Sequence, residues 1–551
     1  MFLLTLACFL LQVRGLNGQA LDANGLDTND ISLDDKVLAI ERLLLSPGTI
    51  IFPVTPCDFV LNAPLINNPD YTGDQTAAQW VRTVFHDFIT ANISAGTGGL
   101  DASISFEADR PENLGLVFNA ATPNTTSFIN ATIVGFNLFS TVFVSTADFI
   151  ALGLAASLLT CDPDARMIQL KAGRIDATKA GPIGVPKPQD GLSVAKAAFA
   201  NAGFSQTDMI QAVACGHSLG GVHKLNFPEI VGNGVTVGGF GADHFDSTPF
   251  QFDNQNVKEY LDGSGQGGGP LVTTTNVTMQ SDLRIFNNTD GNATIKAMSS
   301  ATAFENTCFT IFERMLNTVP NGTHLSNVVG PRPWILMESH LDLTSAGVVV
   351  HSGNITNYIG SSTSIPATAT YNYTLATGGT SATVKSQAGV LKDDHVNGVV
   401  SLPFGNITWY PFSDTITTNI TAINLPFFSQ AINLNLFVVP SQSCMSTSSP
   451  PSYTVRAALL TKLVASKTTT LLGTLYYPAV QPLSVAPKYT QVNTTLTSLT
   501  TLGAYTIFSG VVAQPNNGGG LSHIDVRLGT SQRSAKILAS TFGGSFFKSG
   551  C

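Results

Sequence analysis

The sequence predicts a two-part fold, a mainly α-helical domain followed by a β-rich, sandwich-like domain, and three observations carry that expectation. Apolar residues recur at helical spacing from about residue 33 to 325 and not afterwards. Beyond Pro333 the composition shifts to Thr, Val, Ser, Tyr and Gly, with apolar residues alternating between turn residues. At 551 residues the chain is also too long for one ordinary core, since single domains usually run to about 100–200 residues.

Taken in order, Met1 to Gly15 form a short apolar run ending near small residues, too brief to span a bilayer, and residues 1–19 read as a secretory signal. Residues 20–329 then form the helical domain. From Gln75 to Ile89, Ala78, Val81, Phe85 and Phe88 fall at helical spacing, while Thr146 to Cys161 is apolar almost all round, as a buried helix is. Further helical spans run from Ser193 to Ala202, Gln206 to His223 and Ile295 to Thr318, and Ser205-Gln-Thr-Asp208 supplies caps for the second of these. The boundary falls near Pro331-Arg-Pro-Trp334. Residues 330–551 form the β-rich domain, with alternating runs such as Tyr371 to Leu375 and Tyr505 to Phe508 and one helical exception at Ser452 to Lys467.

Charged residues make up only 11% of the chain, so Ser, Thr, Asn and attached groups supply much of the polar surface. A net charge of -9 and a pI of about 5.4 argue against nucleic acid, because phosphate binding needs a Lys/Arg face. Glycosylation acceptors recur at Asn92, Asn124, Asn130, Asn276, Asn287, Asn292, Asn321, Asn354, Asn372, Asn406, Asn419 and Asn493, which points to a secreted glycoprotein. Once Cys8 leaves with the signal an even set remains, Cys57, Cys161, Cys215, Cys308, Cys444 and Cys551, suited to an oxidising compartment. Cys57 with Cys161 is the expected bridge; spacing leaves the other pairings open. No other apolar run suits a membrane helix, and a monomer is expected.

Arg82 and His86 stand four apart on the first of these helices and share one side, with Phe85 beside them. Peroxide cleavage needs a base that moves a proton between the two oxygens and a fixed positive charge that stabilises the departing hydroxide. Imidazole and guanidinium supply these two functions, although a capping or surface pair would leave the same pattern. Trp80-Val-Arg-Thr-Val-Phe-His-Asp87 resembles the distal helix of the plant-type heme peroxidase superfamily, closest to its secreted fungal, class II-like members. Gly99-Leu-Asp-Ala-Ser103 resembles that family's calcium loop, which implies Asp87, Gly99 through its carbonyl, Asp101 and Ser103 as ligands of a first calcium ion, a cation that takes six to eight oxygens at about 2.3–2.6 Å. Glu107 and Asn113 sit six apart as in the family, implying that Asn113 orients His86.

Gly203 to Gly221 resembles the family's proximal helix, and the likeness makes His217 the axial ligand of a heme b iron. Gln280-Ser-Asp282 matches the segment whose Asp accepts the other imidazole N–H and raises the ligand's basicity. Phe245-Asp-Ser-Thr-Pro-Phe-Gln-Phe-Asp253 resembles a second calcium loop, implying Ser218, Asp246, Thr248, Gln251 and Asp253 as ligands. The resemblance covers about residues 33–325 and implies the heme-peroxidase fold, two helical halves with the heme between them. A rival reading exists, because Gly216-His-Ser-Leu-Gly220 also fits the Gly-x-Ser-x-Gly elbow of α/β-hydrolases and lipases, with Ser218 as nucleophile. That elbow requires a strand leading into it, whereas Gln206 to Cys215 reads as a capped helix.

The implied activity is reduction of hydrogen peroxide to water with one-electron oxidation of a small phenol or aromatic amine. The manganese-oxidising fungal members use two Glu and an Asp; the matching positions here are Gln75, Gln79 and His223, so a manganese site of that kind is not expected. His223 instead resembles a propionate-contacting His. Ala212 stands where ligninolytic members carry an exposed Trp, and Trp80 is assigned to packing. For residues 330–551 the resemblance says nothing; contact with wall polysaccharide is one option, and a non-catalytic wall glycoprotein is the third reading of the whole chain.

Overall fold

A computed structural model describes residues 31–45, 56–61, 74–107, 110–116, 141–162, 166–224, 226–232, 241–362, 364–388, 399–466, 469–515, 521–529, 532–535, 537–540 and 547–551. The expected signal over 1–19 and the acceptors Asn124 and Asn130 lie outside the described residues. Helices occupy the N-terminal part: Leu33–Leu44, Thr76–Phe88, Thr146–Cys161, Leu192–Asn201, Gln206–Gly216, Gln255–Asp262, Ser281–Phe286, Thr289–Ala297 and Ala301–Asn317. Side-chain caps start several of them. Ser32 with Asp35 and Ser205 with Asp208 form reciprocal capping boxes, and Ser145 accepts the Asp148 N–H at 3.0 Å. No described helix is long and apolar enough to cross a membrane.

The helix Thr146–Cys161 is buried on every side, and the helix Thr76–Phe88 lies against it. Trp80, 1% exposed, sets its edge against Phe149 with ring centroids 5.4 Å apart, as its assignment to packing requires. Gly153 makes that approach possible, because a Cβ there would fall 2.4 Å from the Trp80 ring. Gly153→Ala is therefore expected to cost about 1–3 kcal/mol through overpacking, read from the thermal midpoint. An unchanged midpoint would mean that the indole has room to move.

Three disulfides close loops across the fold. Cys57–Cys161 is the expected one; Cys215–Cys308 ties the helix leading into His217 to Ala301–Asn317, and Cys444–Cys551 lies in the β-rich part.

Three expected helical spans are corrected. The span Gln206 to His223 stops at Gly216, because Gly220 takes φ +77 and Gly221 lets the chain pass close to Asp243, so Gly221–His223 becomes a strand paired with Ala242–His244. The span Ile295 to Thr318 is two helices, since Ser300 caps a new one by accepting the Ala303 N–H. Ser452 to Lys467 is a strand, Ser452–Leu460, followed by a short 3₁₀ turn: Tyr453, Val455 and Ala457 face the core at period two, and strand neighbours on both sides override the helical reading.

From Trp334 onward the described residues are strands joined by turns. Two four-stranded antiparallel sheets share one buried core that includes Leu336, Ile355, Tyr371, Tyr410 and Ile423, and a ten-stranded sheet forms another around Val455, Leu475, Phe508 and Ile524. A polar network crosses the first core. Ser339 and Tyr373 bond the two ring nitrogens of His351 at 2.8 and 2.9 Å, and Tyr371 and Tyr373 both donate to Asp414, at 2.7 and 2.8 Å. Burial, with the charge of His340 adding, lowers His351 from 6.5 to about 4. Between those values the unfolded chain binds the extra proton and the folded one does not, so stability rises with pH across that window and is lost on acidification. Denaturation at pH 7 and pH 4.5 is expected to show a loss approaching 3 kcal/mol, on the order of what such a shift implies, which His351→Gln reduces; identical slopes in the two proteins would refute this.

The two parts are joined at several points. Arg42 gives two hydrogen bonds to the Leu336 carbonyl, at 2.9 and 2.7 Å, Arg332 pairs with buried Glu41, and Ile335, Phe404, Ile407 and Ala486 belong to the same core cluster as the helices.

Candidate active site

A cavity of about 390 Å³ opens between the helix carrying Arg82 and the end of the helix leading to His217, within the range of small-molecule and cofactor sites. Arg82, Phe85 and His86 form one part of its wall, and His217, Leu219, Phe245 and Asp282 form another. On the first wall His86 is 7% exposed, and its Nδ1 meets Asn113 Oδ1 at 2.7 Å. Asn113, fully buried, is held in turn by its Nδ2 donating to the Glu107 carbonyl at 3.2 Å. With Nδ1–H donating to Asn113, Nε2 is the bare nitrogen, and Arg82 Nε approaches it at 3.4 Å. Arg82 is steadied by its Nη2 bond to the Leu114 carbonyl at 2.9 Å. Burial, and then the Arg82 charge, lower His86 to about 3 against the opposing Asn113 bond, so the imidazole is neutral and able to accept a proton.

On the second part of the wall His217 is the C-cap of the helix Gln206–Gly216. Its Nδ1 bonds Asp282 Oδ2 at 2.6 Å, Ser281 bonds the other carboxylate oxygen at 3.0 Å, and Phe245 stacks on the ring at 4.2 Å with planes 4° apart. Asn256 fixes the backbone by donating to the carbonyls of Ala214 and His217, at 2.8 and 3.0 Å. One imidazole is thus locked by a carboxylate and the other by an amide, across one cavity. His223 also lines the cavity from its short strand, as do Gln75 and Gln79.

Asp87, Asp101 and Ser103 come together behind the first wall. Asp87 accepts the backbone N–H groups of Asp101, Ala102 and Ile104, at 3.0, 2.7 and 3.0 Å, and the Ser103 hydroxyl stands 3.3 Å from its Oδ1. Burial and the Asp101 charge raise Asp87 well above the ordinary carboxylate range. Gly99, at φ +100, precedes them in the same loop. In the second loop the Thr248 hydroxyl lies 3.4 Å from Asp246 and 3.2 Å from Asp253. Asp246 is pushed up to about 7, mainly by burial and further by Asp253 and Glu259, and its Oδ2 is buried with no hydrogen-bond partner. Among the described residues no group of three or more His, Cys, Asp or Glu is placed to hold a metal. Each loop offers two carboxylates plus hydroxyls instead, a hard-oxygen set in which a cation would relieve the like-charge repulsion. Gln251 is exposed and donates its backbone N–H to the Thr248 carbonyl at 2.9 Å, while Ser218 turns its hydroxyl to the Cys215 carbonyl at 2.9 Å.

The hydrolase alternative is not favoured. A helix, not a strand, leads into Gly216-His-Ser-Leu-Gly220, and Ser218 is fully buried against Cys215. The sequence reading also passed over part of the cavity wall: Phe199, which packs on Phe85 with centroids 5.8 Å apart, and Phe312 and Met315 of the last long helix. Their helical spacing marks them as core, and nothing local distinguishes a core residue from one that borders a cavity.

Residues 65–301 match the peroxidase family. The chain is 39% identical over 282 residues to a WSC domain-containing protein of Arthroderma benhamiae, covering 50% of this chain and 35% of that protein. It is 30% identical over 257 residues to manganese peroxidase 2 of Phlebia radiata, covering 43% and 60%, and 28% identical over 228 residues to manganese peroxidase H4 of Phanerodontia chrysosporium, covering 40% and 54%. The chain thus spans between about a third and three fifths of the length of these relatives.

Proposed function

We propose, from the membership of residues 65–301 in the peroxidase family, that the chain is a secreted heme peroxidase. It reduces hydrogen peroxide to water with electrons taken one at a time from small phenols or aromatic amines. The observation that carries this reading is the pair of differently locked imidazoles, His86 and His217, lining one cavity. The family implies a heme, and His217 is the residue to hold its iron through Nε2, since Asp282 occupies Nδ1 and makes the imidazole a stronger donor. When bound, the heme supplies the redox chemistry.

The protein's own residues have separate tasks. His86 Nε2 takes the proton of the nearer peroxide oxygen and returns it to the departing one, while the Arg82 guanidinium stabilises the negative charge on that leaving oxygen. Asn113 keeps the tautomer that leaves Nε2 bare. Phe85, which lines the cavity with its ring 5.9 Å from that of His86, limits the room beside the imidazole. His223 is assigned to a heme carboxylate. Gln75 and Gln79, neutral amides, favour an organic donor over a manganese ion. The first calcium is assigned to Asp87, Gly99, Asp101 and Ser103 and the second to Ser218, Asp246, Thr248, Gln251 and Asp253. In this reading 20–329 is the catalytic domain and 330–551 an added β-rich domain.

The test is an absorption spectrum of protein expressed with ample heme, before and after hydrogen peroxide. A Soret band that changes on adding peroxide and recovers with a phenol is expected. Absence of any Soret band would overturn the reading in favour of a non-catalytic glycoprotein.

A further inference from the structure

The β-rich part reaches the Arg82/His86 side of the molecule through the turn that precedes the strand Lys488–Leu502. Val485 donates its backbone N–H to the Ser105 carbonyl at 2.9 Å, and the Ser484 hydroxyl donates to Ser105 Oγ at 3.0 Å. Ser484 Oγ also accepts the Ala486 N–H at 3.1 Å, which closes the turn on itself. Ser105 is 2% and Ala486 4% exposed, and Ala486 is built into the core of the helical part. At the tip Leu483 takes φ +63 with its side chain 92% exposed, a backbone state that a branched side chain keeps only where its surroundings impose it.

What the turn grips bears on the site. Ser105 belongs to the 3₁₀ turn Ser103–Phe106, which follows the Asp101 loop and whose Ile104 N–H is bonded to Asp87. Glu107, the next residue, holds Asn113, and Asn113 holds His86. An unbroken line of hydrogen bonds and covalent neighbours therefore runs from Val485 to the base. We infer that residues 484–486 are a strap by which the β-rich part positions the Asp87/Asp101/Ser103 loop, so that cation retention there, and the setting of His86, depend on a contact made by the added domain. The cation half of this inference rests on the reading of that loop as a calcium site; the positioning half does not.

The test uses the full-length protein carrying its cofactor. Val485→Pro removes the donated N–H, whereas Val485→Ala keeps it. Amide hydrogen exchange over residues 103–107 is expected to speed up by as much as about tenfold in Val485→Pro, the most that one lost backbone bond supports, and to stay native in Val485→Ala. Calcium titration of chelator-stripped protein is expected to show a matching loss of affinity in Val485→Pro, and excess calcium is expected to restore slow exchange by mass action. Should Val485→Pro fail to fold, Ser484→Ala is expected to show the same changes at smaller size. Native exchange over residues 103–107 in the folded variants, or equal acceleration in Val485→Ala, would overturn the strap. If the native chain takes up no calcium, the calcium reading fails, and the exchange comparison still decides the strap.

Discussion

His86→Ala is expected to slow the reaction with hydrogen peroxide by about 10²–10⁴-fold while leaving the Soret band of the resting protein in place. The size follows from the geometry. The ring is buried and neutral, its Nδ1–H is committed to Asn113 at 2.7 Å, and its bare Nε2 lies beside Arg82 in the cavity. Alanine removes the proton carrier and leaves the positive charge. Asn113→Ala tests the same arrangement more gently, because it frees the ring to rotate and to change tautomer without deleting it; a loss of about tenfold or more is expected, smaller than for His86→Ala. Stopped-flow rates measured against peroxide concentration separate these outcomes. A His86→Ala rate within a factor of two of native would remove the acid–base role from the scheme.

These residues were legible in the sequence because their chemistry is local. Arg82, Phe85 and His86 sit one helical turn apart, so periodicity alone places them on one face, and the helix Thr76–Phe88 appears where the spacing put it. The likeness to a known family linked His217 to Asp282, 65 residues apart, which no local pattern could have joined. Local propensity failed where tertiary context decided. Ser452–Leu460, half-buried and buried by turns as far as Ala457, is a strand because other strands pair with it on both sides, and the helix predicted over Gln206 to His223 ends early because the glycines after Ser218 allow a sharp reversal. The contact of Val485 with Ser105 spans 380 positions between backbone groups, and backbone groups carry no sequence signature at all.

The second large effect is expected from a pair remote from the cavity. Arg174 and Asp148 are both fully buried and paired at 2.9 Å; Asp148 also accepts the backbone N–H groups of Gly173 and Arg174, at 2.8 and 3.1 Å. Arg174 reaches on to the carbonyl of Leu316 at 2.6 Å, so the pair fastens the helix Thr146–Cys161 to the end of Ala301–Asn317. Burial already lowers the Arg174 pKa, and Asp148 is the group that opposes this. Asp148→Ala leaves a guanidinium in an apolar interior and two N–H groups without an acceptor, and is expected to cost about 3–5 kcal/mol in urea denaturation at pH 7. Asp148→Leu combined with Arg174→Met removes both charges and is expected to cost less than Asp148→Ala alone, because the dominant penalty is the stranded charge and not the lost attraction. A single variant costing under 1 kcal/mol, or a double variant worse than the single, would refute that account. The consequence reaches the site through Leu316, since Phe312 and Met315 of the same helix line the cavity: if heme binds there as proposed, Asp148→Ala protein that still folds is expected to release it faster than native, with His217 and Asp282 untouched.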